Sequence, residues 1–297
     1  MKPKHIVPLL IALFFPIATV QAGPIDDATK TDVMIDAGDV TLGATLYRPA
    51  GLSGDLPLIV TAHGSAPTTR DGVGFYTHHA LRMGFAVLSF DKRGTGKSSG
   101  TYVPFDVSTS DQTFRALARD VAHAVRWAAA QPGIDETRIG LFGGSQAGWI
   151  MPLAATMEPM VRFIVIGEGV PVTAYEEDLH GEVSGEAVWD ADVISRADAA
   201  LRQMQKTADQ GFDPAPVLAV LDIPVLWFFG LRDPVIPVAP SIERLEALIK
   251  AGKTNHDIHI FPYGDHNFRN VATGARYDVG KVAGLWLVQH GFIETAP

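Results

Sequence analysis

Arg138-Ile139-Gly140-Leu141-Phe142-Gly143-Gly144-Ser145-Gln146-Ala147-Gly148-Trp149 decides how this chain folds. Its apolar run has the character of a buried strand. The run ends in two glycines, then a serine, then small residues that can open a helix. A serine on so sharp a strand-to-helix turn has a strained backbone, and its hydroxyl is pushed out above the sheet. Small residues must flank it, because strand and helix approach too closely for larger side chains. The common pattern is G-x-S-x-G. Here Ala147 stands two after the serine and Gly148 follows. The competing reading is a glycine-rich loop with an ordinary serine.

The other 285 or so residues must supply the framework for that turn, at about one large α/β domain or two small ones. The chain has 297 residues, and its 47% hydrophobic content is enough for a substantial core. A formal net charge of -9 argues against a nucleic-acid partner, because phosphate neutralisation needs clustered Lys and Arg. Met1-Lys2-Pro3-Lys4, the apolar run Ile6 to Val20 and Val20-Gln21-Ala22 have the layout of a secretory signal. Residues 1–22 are thus expected to be a signal peptide cleaved after Ala22, with no stable membrane insertion afterwards. The alternative is an uncleaved membrane anchor. The sequence holds no cysteine, which excludes disulfides and thiolate metal sites. A cysteine-free exported chain suits the bacterial periplasm or secretion.

From Thr31 onward, strand and helix signals alternate. Asp32–Asp36 and Val40–Arg48 form a hairpin pattern around Gly38-Asp39. Buried strands are expected at Leu58–Ala62, Phe85–Phe90, Arg138–Phe142, Val161–Gly167, Ile223–Phe229 and His256–Phe261. Helices are expected at Tyr76–Met83, Gln112–Gln131, Ala147–Met157, Ala239–Ala251 and Tyr277–His290. Pro152 falls inside the third of these, where a place near the first turn would tolerate it. This order implies a mostly parallel central sheet with helices on both faces. Residues 23–169 and 223–297 make the core. Residues 170–222 interrupt the rhythm: they are acidic, with helical stretches and no buried strand.

Crossover handedness places the loops after the parallel strands along one edge, so catalytic groups should lie just past strand ends. Three do. Ser145 follows one strand, Asp233 follows Ile223–Phe229, and His266 follows His256–Phe261. A serine hydroxyl becomes a good nucleophile only when an imidazole removes its proton. His266 would take that proton and return it to the leaving group. Asp233 would fix the imidazole tautomer and stabilise the imidazolium. An oxyanion needs fixed N–H donors: the backbone N–H of Gln146 is one, and that of Ser65, in the loop His63-Gly64-Ser65-Ala66, is the other. Each residue also has a plain reading: a turn aspartate before Pro234, and a surface loop histidine.

Neighbouring polar residues carry less. Asp265 adjoins His266, and adjacent side chains rarely aim at one another. Glu168 follows Val161–Gly167 and is either a substrate contact or a loop carboxylate. His63 reads as a buried brace for its loop. Asp91-Lys92-Arg93-Gly94-Thr95-Gly96-Lys97-Ser98 resembles a phosphate loop but lacks the first glycine at the required spacing. A glycine-rich loop pinned by Asp91 and Arg93 is preferred to nucleotide binding. His256 and His259 face opposite sides of a strand, and His78-His79 have no evident carboxylate partner. No metal is expected.

Three motifs carry a family resemblance: His63-Gly64-Ser65-Ala66 followed by Arg70-Asp71, then Asp91-Lys92-Arg93-Gly94-Thr95-Gly96-Lys97-Ser98, then Gly143-Gly144-Ser145-Gln146-Ala147-Gly148. With them the chain, from about Val40 to Phe292, resembles the serine esterases of the α/β-hydrolase superfamily. The likeness is to bacterial esterases with H-G-S-G…R-D, D-K-R-G-T-G-x-S and G-H-S-Q-G-G motifs. The departures are Ala66 for glycine, Gly144 for histidine and Ala147 for glycine. The resemblance implies an α/β-hydrolase fold and hydrolysis of small carboxyl esters without a cofactor. It also implies that residues 170–222 are a short helical cap, with Trp189, Tyr175 and Met204 placed either on an acyl pocket or against the core.

Other readings stay open. Related branches hydrolyse thioesters or cleave short peptides, and a peptidase would use an acidic run such as Glu176-Glu177-Asp178 to grip a free amino terminus. A hydrolase-fold binding protein without catalysis is the reading from another class.

Overall fold

Eight strands form one sheet in the order β1-β2-β4-β3-β5-β6-β7-β8, in a computed structural model that describes residues 23–185, 189–204 and 210–295. The expected signal peptide and Glu186 lie outside the described residues. The strands are β1 (Thr29–Asp36), β2 (Thr41–Arg48), β3 (Leu56–Ala62), β4 (Ala86–Phe90), β5 (Ile134–Gly144), β6 (Val161–Gly167), β7 (Val225–Gly230) and β8 (His256–Phe261). The hairpin β1–β2 and the β2–β4 pair are antiparallel; every later pair is parallel. The helices are α1 (Pro24–Asp27), α2 (Gly74–Arg82), α3 (Ser110–Ala129), α4 (Ala147–Met157), α5 (Ala174–Ser184), α6 (Ala191–Gln203), α7 (Ala215–Val220), α8 (Val238–Lys250) and α9 (Val279–Gln289).

Every residue of β3, β4 and β7 is buried, as two covered faces require. Alternation sends Leu58, Val60 and Ala62 to one face, with α3, α4 and α8, and Ile59 to the other, with α2 and α9. Phe114 and Trp149 stack at 4.8 Å in the first layer, and Trp149 Nε1 donates to the Val172 carbonyl at 2.8 Å. Strand β5 begins four residues before the sequence signal, because Ile134 already pairs with Leu56 across a register shift. Pro152 is a correction. It is the sixth residue of α4, beyond the first turn, and its buried ring follows Gly148 by four positions. A glycine there lets the chain adjust where a proline ring crowds the earlier carbonyl.

Between Val170 and Asp222 the described residues hold α5, α6 and α7 and no strand. Thr173 and Glu176 close a reciprocal capping box on α5, and Asp190 caps α6. No helix of the described residues is long and apolar enough to cross a membrane.

The registers bring the strand ends into one row. Ala62 lies opposite Gly143, Gly144 opposite Gly167, Gly167 opposite Phe228, and Gly230 opposite Phe261. The residues that follow these strands therefore emerge side by side.

Candidate active site

Backbone strain collects on this edge. Among the described residues, three that are not glycine have positive φ: Ser145 at 56°, Glu168 at 49° and Phe268 at 55°. All three follow a strand of the row. L-residues avoid this region unless the surroundings hold them there. Ser145 is held by its own amide, which donates to the carbonyls of Gly167 at 2.9 Å and Glu168 at 3.1 Å.

The packing explains both departures from the resembled elbow. A Cβ at position 144 would run into the Tyr76 hydroxyl and the Gly167 carbonyl, so Tyr76 of α2 takes the room that histidine would need. The closest helix approach falls at Gly148, where a Cβ would stand 2.6 Å from Val170 N and 2.8 Å from Gly169 Cα. Position 147 is one step off that contact, and alanine fits, fully buried.

Asp233 and His266 meet. His266 Nδ1 and Asp233 Oδ2 are 2.7 Å apart. The other carboxylate oxygen, Oδ1, accepts from Val235 N at 2.8 Å and Ile236 N at 3.4 Å. Asp233 is 1% exposed, and the His266 side chain is 21% exposed. Burial alone would lower the His266 pKa; the Asp233 carboxylate, with Glu177 and Asp265 adding to it, outweighs this and raises it above the usual value. With Nδ1 given to Asp233, Nε2 is the ring nitrogen left for proton transfer. Among the described residues no hydrogen bond joins it to Ser145 Oγ; such contacts are often long until substrate binds.

The loop His63-Gly64-Ser65-Ala66 lies against the serine, since a Cβ on Gly64 would stand 3.6 Å from Ser145 Cβ and 3.9 Å from its Oγ. Gln146 N sits at the start of α4, where helical amides have no partner within the helix. His63 is buried, with Nε2 2.6 Å from the Phe90 carbonyl. Its pKa is lowered to about 4, by burial and then by nearby Lys92, so the ring is neutral and donates to that carbonyl.

Sequence reasoning missed Lys92. It lies in the glycine-rich loop after β4, and its Nζ donates to the carbonyls of Gly64 (2.7 Å), Ser65 (3.2 Å) and Ala66 (3.4 Å) and to Gln146 Oε1 (2.9 Å). One ammonium thus ties together the two segments that carry the amides of Ser65 and Gln146. Burial lowers its pKa to about 8. The signal was available: a lysine directly after a buried strand, in a loop on the same edge. Tyr102 adds a second tie, from its hydroxyl to the Ser65 carbonyl at 2.7 Å.

The rival residues also find places. Asp265 turns onto the amides of Asn267 and Arg269, both at 2.8 Å, and not onto His266. Glu168 is buried, 2% exposed, so it is no substrate contact on an open surface. Glu176 is taken up by its capping box and by Arg244 at 3.1 Å. His79, read from sequence as lacking a carboxylate, has Nδ1 3.9 Å from Asp278, which approaches from the distant start of α9. Trp189 packs its ring over the Arg232 guanidinium at 4.7 Å, beside Asp233. No group of His, Cys, Asp or Glu among the described residues is arranged to hold a metal ion.

This sheet order, with a strained serine after β5 and a histidine–aspartate pair after β8 and β7, is the plan of an α/β-hydrolase. The expected fold class is borne out. Residues 74–290 match the model of the prolyl oligopeptidase family, and the chain belongs to that family of serine hydrolases. A protein of Ajellomyces capsulatus named "Probable dipeptidyl-aminopeptidase B" is 26% identical over 208 residues, which are 66% of this chain and 20% of that protein. The chain thus spans about a fifth of the length of that curated relative. Among solved structures, an esterase of Pyrococcus furiosus superposes with a TM-score of 0.64 at 16% identity, covering 88% of this chain and 91% of that one. The acylaminoacyl peptidase of Pyrococcus horikoshii gives 0.62 at 16% identity, covering 88% of this chain and 41% of that one.

Proposed function

We propose that the protein cleaves small carboxyl esters through an acyl-enzyme. The observation that carries this reading is the His266–Asp233 pair, closed at 2.7 Å on the sheet edge that holds Ser145 at φ 56°. In the proposed cycle, Ser145 Oγ attacks the ester carbonyl while His266 Nε2 takes its proton. The oxyanion forms between the N–H groups of Gln146 and Ser65. Its collapse breaks the C–O bond, and His266 gives the proton to the departing alcohol. Water, activated by the same imidazole, then attacks the acyl-enzyme and releases the acid. No cofactor enters any step. Ser145→Ala should abolish p-nitrophenyl acetate turnover in a folded protein; undiminished turnover would overturn the assignment.

A second reading, peptide cleavage, draws on Glu177, whose charge helps to raise the His266 pKa and so stands near the reaction centre. A carboxylate there suits a substrate ammonium group. The dipeptidyl-aminopeptidase relative supports the same reading. Comparing aminoacyl anilides with acyl esters on one preparation decides between them. The proposal also keeps residues 170–222 as a small cap and residues 1–22 as a leader removed on export to the periplasm or beyond; N-terminal sequencing of the exported protein should begin at Gly23.

A further inference from the structure

Glu168 lies behind the pair rather than in front of it. Its backbone is a node of the site: its carbonyl accepts from Ser145 N at 3.1 Å, and its own N–H donates to the Phe228 carbonyl at 3.0 Å. Its carboxyl turns inward. Oε2 accepts from Gly230 N at 3.1 Å, at the root of the loop that carries Asp233. Oε1 is buried, with no hydrogen-bond donor to it among the described residues. The Asp233 side chain interacts with the Glu168 carboxyl as a whole.

An ionised Glu168 would leave a buried anionic oxygen without a donor and place it against a second carboxylate. Either fault disfavours the ionised form. A proton on Oε1 removes both, because it turns an orphan acceptor into a donor beside a carboxylate partner. We propose that Glu168 is a positioning residue: a neutral carboxylic acid whose Oε1–H donates to Asp233 and fixes that carboxylate for His266. This rests on the hydrolase reading of the site. The surroundings favour the neutral form: burial first, then Asp233, with Asp265 adding to it, raise the Glu168 pKa well above the usual carboxylate value. Tyr76 faces it from α2, with its own pKa raised, by burial first. The positive φ of 49° is the backbone strain that this placement carries.

The consequence is a set value for His266. A donor on Asp233 draws off part of its charge and moderates its hold on the imidazolium. The test is the His266 titration followed by NMR of the imidazole, assigned with His266→Gln, in wild type, Glu168→Gln and Glu168→Leu. Glutamine keeps a donor and no charge, so the His266 midpoint should stay within about 0.2 pH units of wild type. Leucine removes the donor, so the midpoint should rise by about half a pH unit or more, with kcat reduced and KM little changed. A midpoint that falls in Glu168→Gln means the wild-type group is ionised and overturns the proposal. A leucine variant with reduced stability and an unmoved midpoint means Glu168 only fills space, and overturns it too. If leucine fails to fold, the glutamine comparison still decides. The imidazole is read directly, so absence of ester turnover in the wild type would sink the hydrolase reading and leave this result standing.

Discussion

Two loops leave the same sheet edge and are built on opposite principles. After β4, the loop Asp91 to Gly100 satisfies its polar groups. Asp91 accepts from Arg70 N (2.8 Å), Arg70 Nε (3.0 Å), Arg70 Nη2 (2.9 Å) and Lys97 N (2.7 Å). Arg93 grips Asp120 with two bonds of 2.6 and 2.7 Å. Ser98 Oγ donates to the Asp91 carbonyl and accepts from Gly43 N. After β5, the half-buried Ser145 holds a disfavoured backbone. The contrast teaches that a strained turn is sustained by neighbours. The first loop has its polar groups satisfied while the second carries strain, and Lys92 is the physical link between them. Breaking each loop should therefore fail in a different observable.

The largest effect is expected at the strained turn. Ser145→Ala should cut kcat for a small ester by about 10⁴-fold or more, near 5 kcal/mol of transition-state stabilisation, with denaturation by urea little changed. At the satisfied loop the failure should be one of stability. Asp91→Ala leaves the Arg70 guanidinium, 9% exposed, without its bidentate partner. Removing one member of a buried pair costs about 3–5 kcal/mol. The urea midpoint should drop accordingly, while kcat per folded molecule stays within a few-fold.

Between these lies the link. Lys92→Met should remove the tie across the two amide-bearing segments and lower kcat by about 10- to 100-fold, with KM changed less. The sign of the pH dependence follows from the depressed lysine. Its pKa is about 8, so the ammonium is whole below that pH and is lost as pH rises through it. The wild type should then show an alkaline fall in kcat near pH 8. The acid limb belongs to His266, raised above its usual value, so activity should climb with pH only as that imidazolium loses its proton. Lys92→Arg keeps its charge at all these pH values and should lose the alkaline fall alone.

How much of this was legible in sequence follows the same division. Ser145, Asp233 and His266 each stand directly past a strand signal, so chain order and period-two runs were enough to bring them to one edge. The strand extends beyond the signal Arg138–Phe142, because Ile134 joins the sheet through a partner, Leu56, that no local pattern reveals. Lys92 was hidden for a like reason. Its partners lie 26 to 54 residues away, and its worth depends on where their carbonyls point. Glu168 was visible as a carboxylate past a strand, but its inward direction depends on a left-handed φ that a glutamate rarely adopts. The helices between Val170 and Asp222 were legible in type, since Thr173 with Glu176 and Asp190 are caps written in the sequence.

The smallest effect tests the contrast from its rigid side. Arg93 touches two carboxylates that differ in burial. Asp120 is 1% exposed and holds the guanidinium from α3. Asp39, at the tip of the β1–β2 turn, is 62% exposed, with contacts of 3.1 and 3.4 Å. Water and salt screen the second contact, and the exposed aspartate loses side-chain freedom to make it. Asp39→Ala should therefore change stability by no more than about 0.5 kcal/mol, and less in 0.5 M salt. The pKa of Asp39 is lowered, first by its bond to Arg93, so whatever it contributes is present at neutral pH and fades as acid protonates it. A loss above about 1 kcal/mol would mean that an exposed turn helps to hold the loop after β4. The support of that loop would then extend beyond the buried pairs to the β1–β2 hairpin.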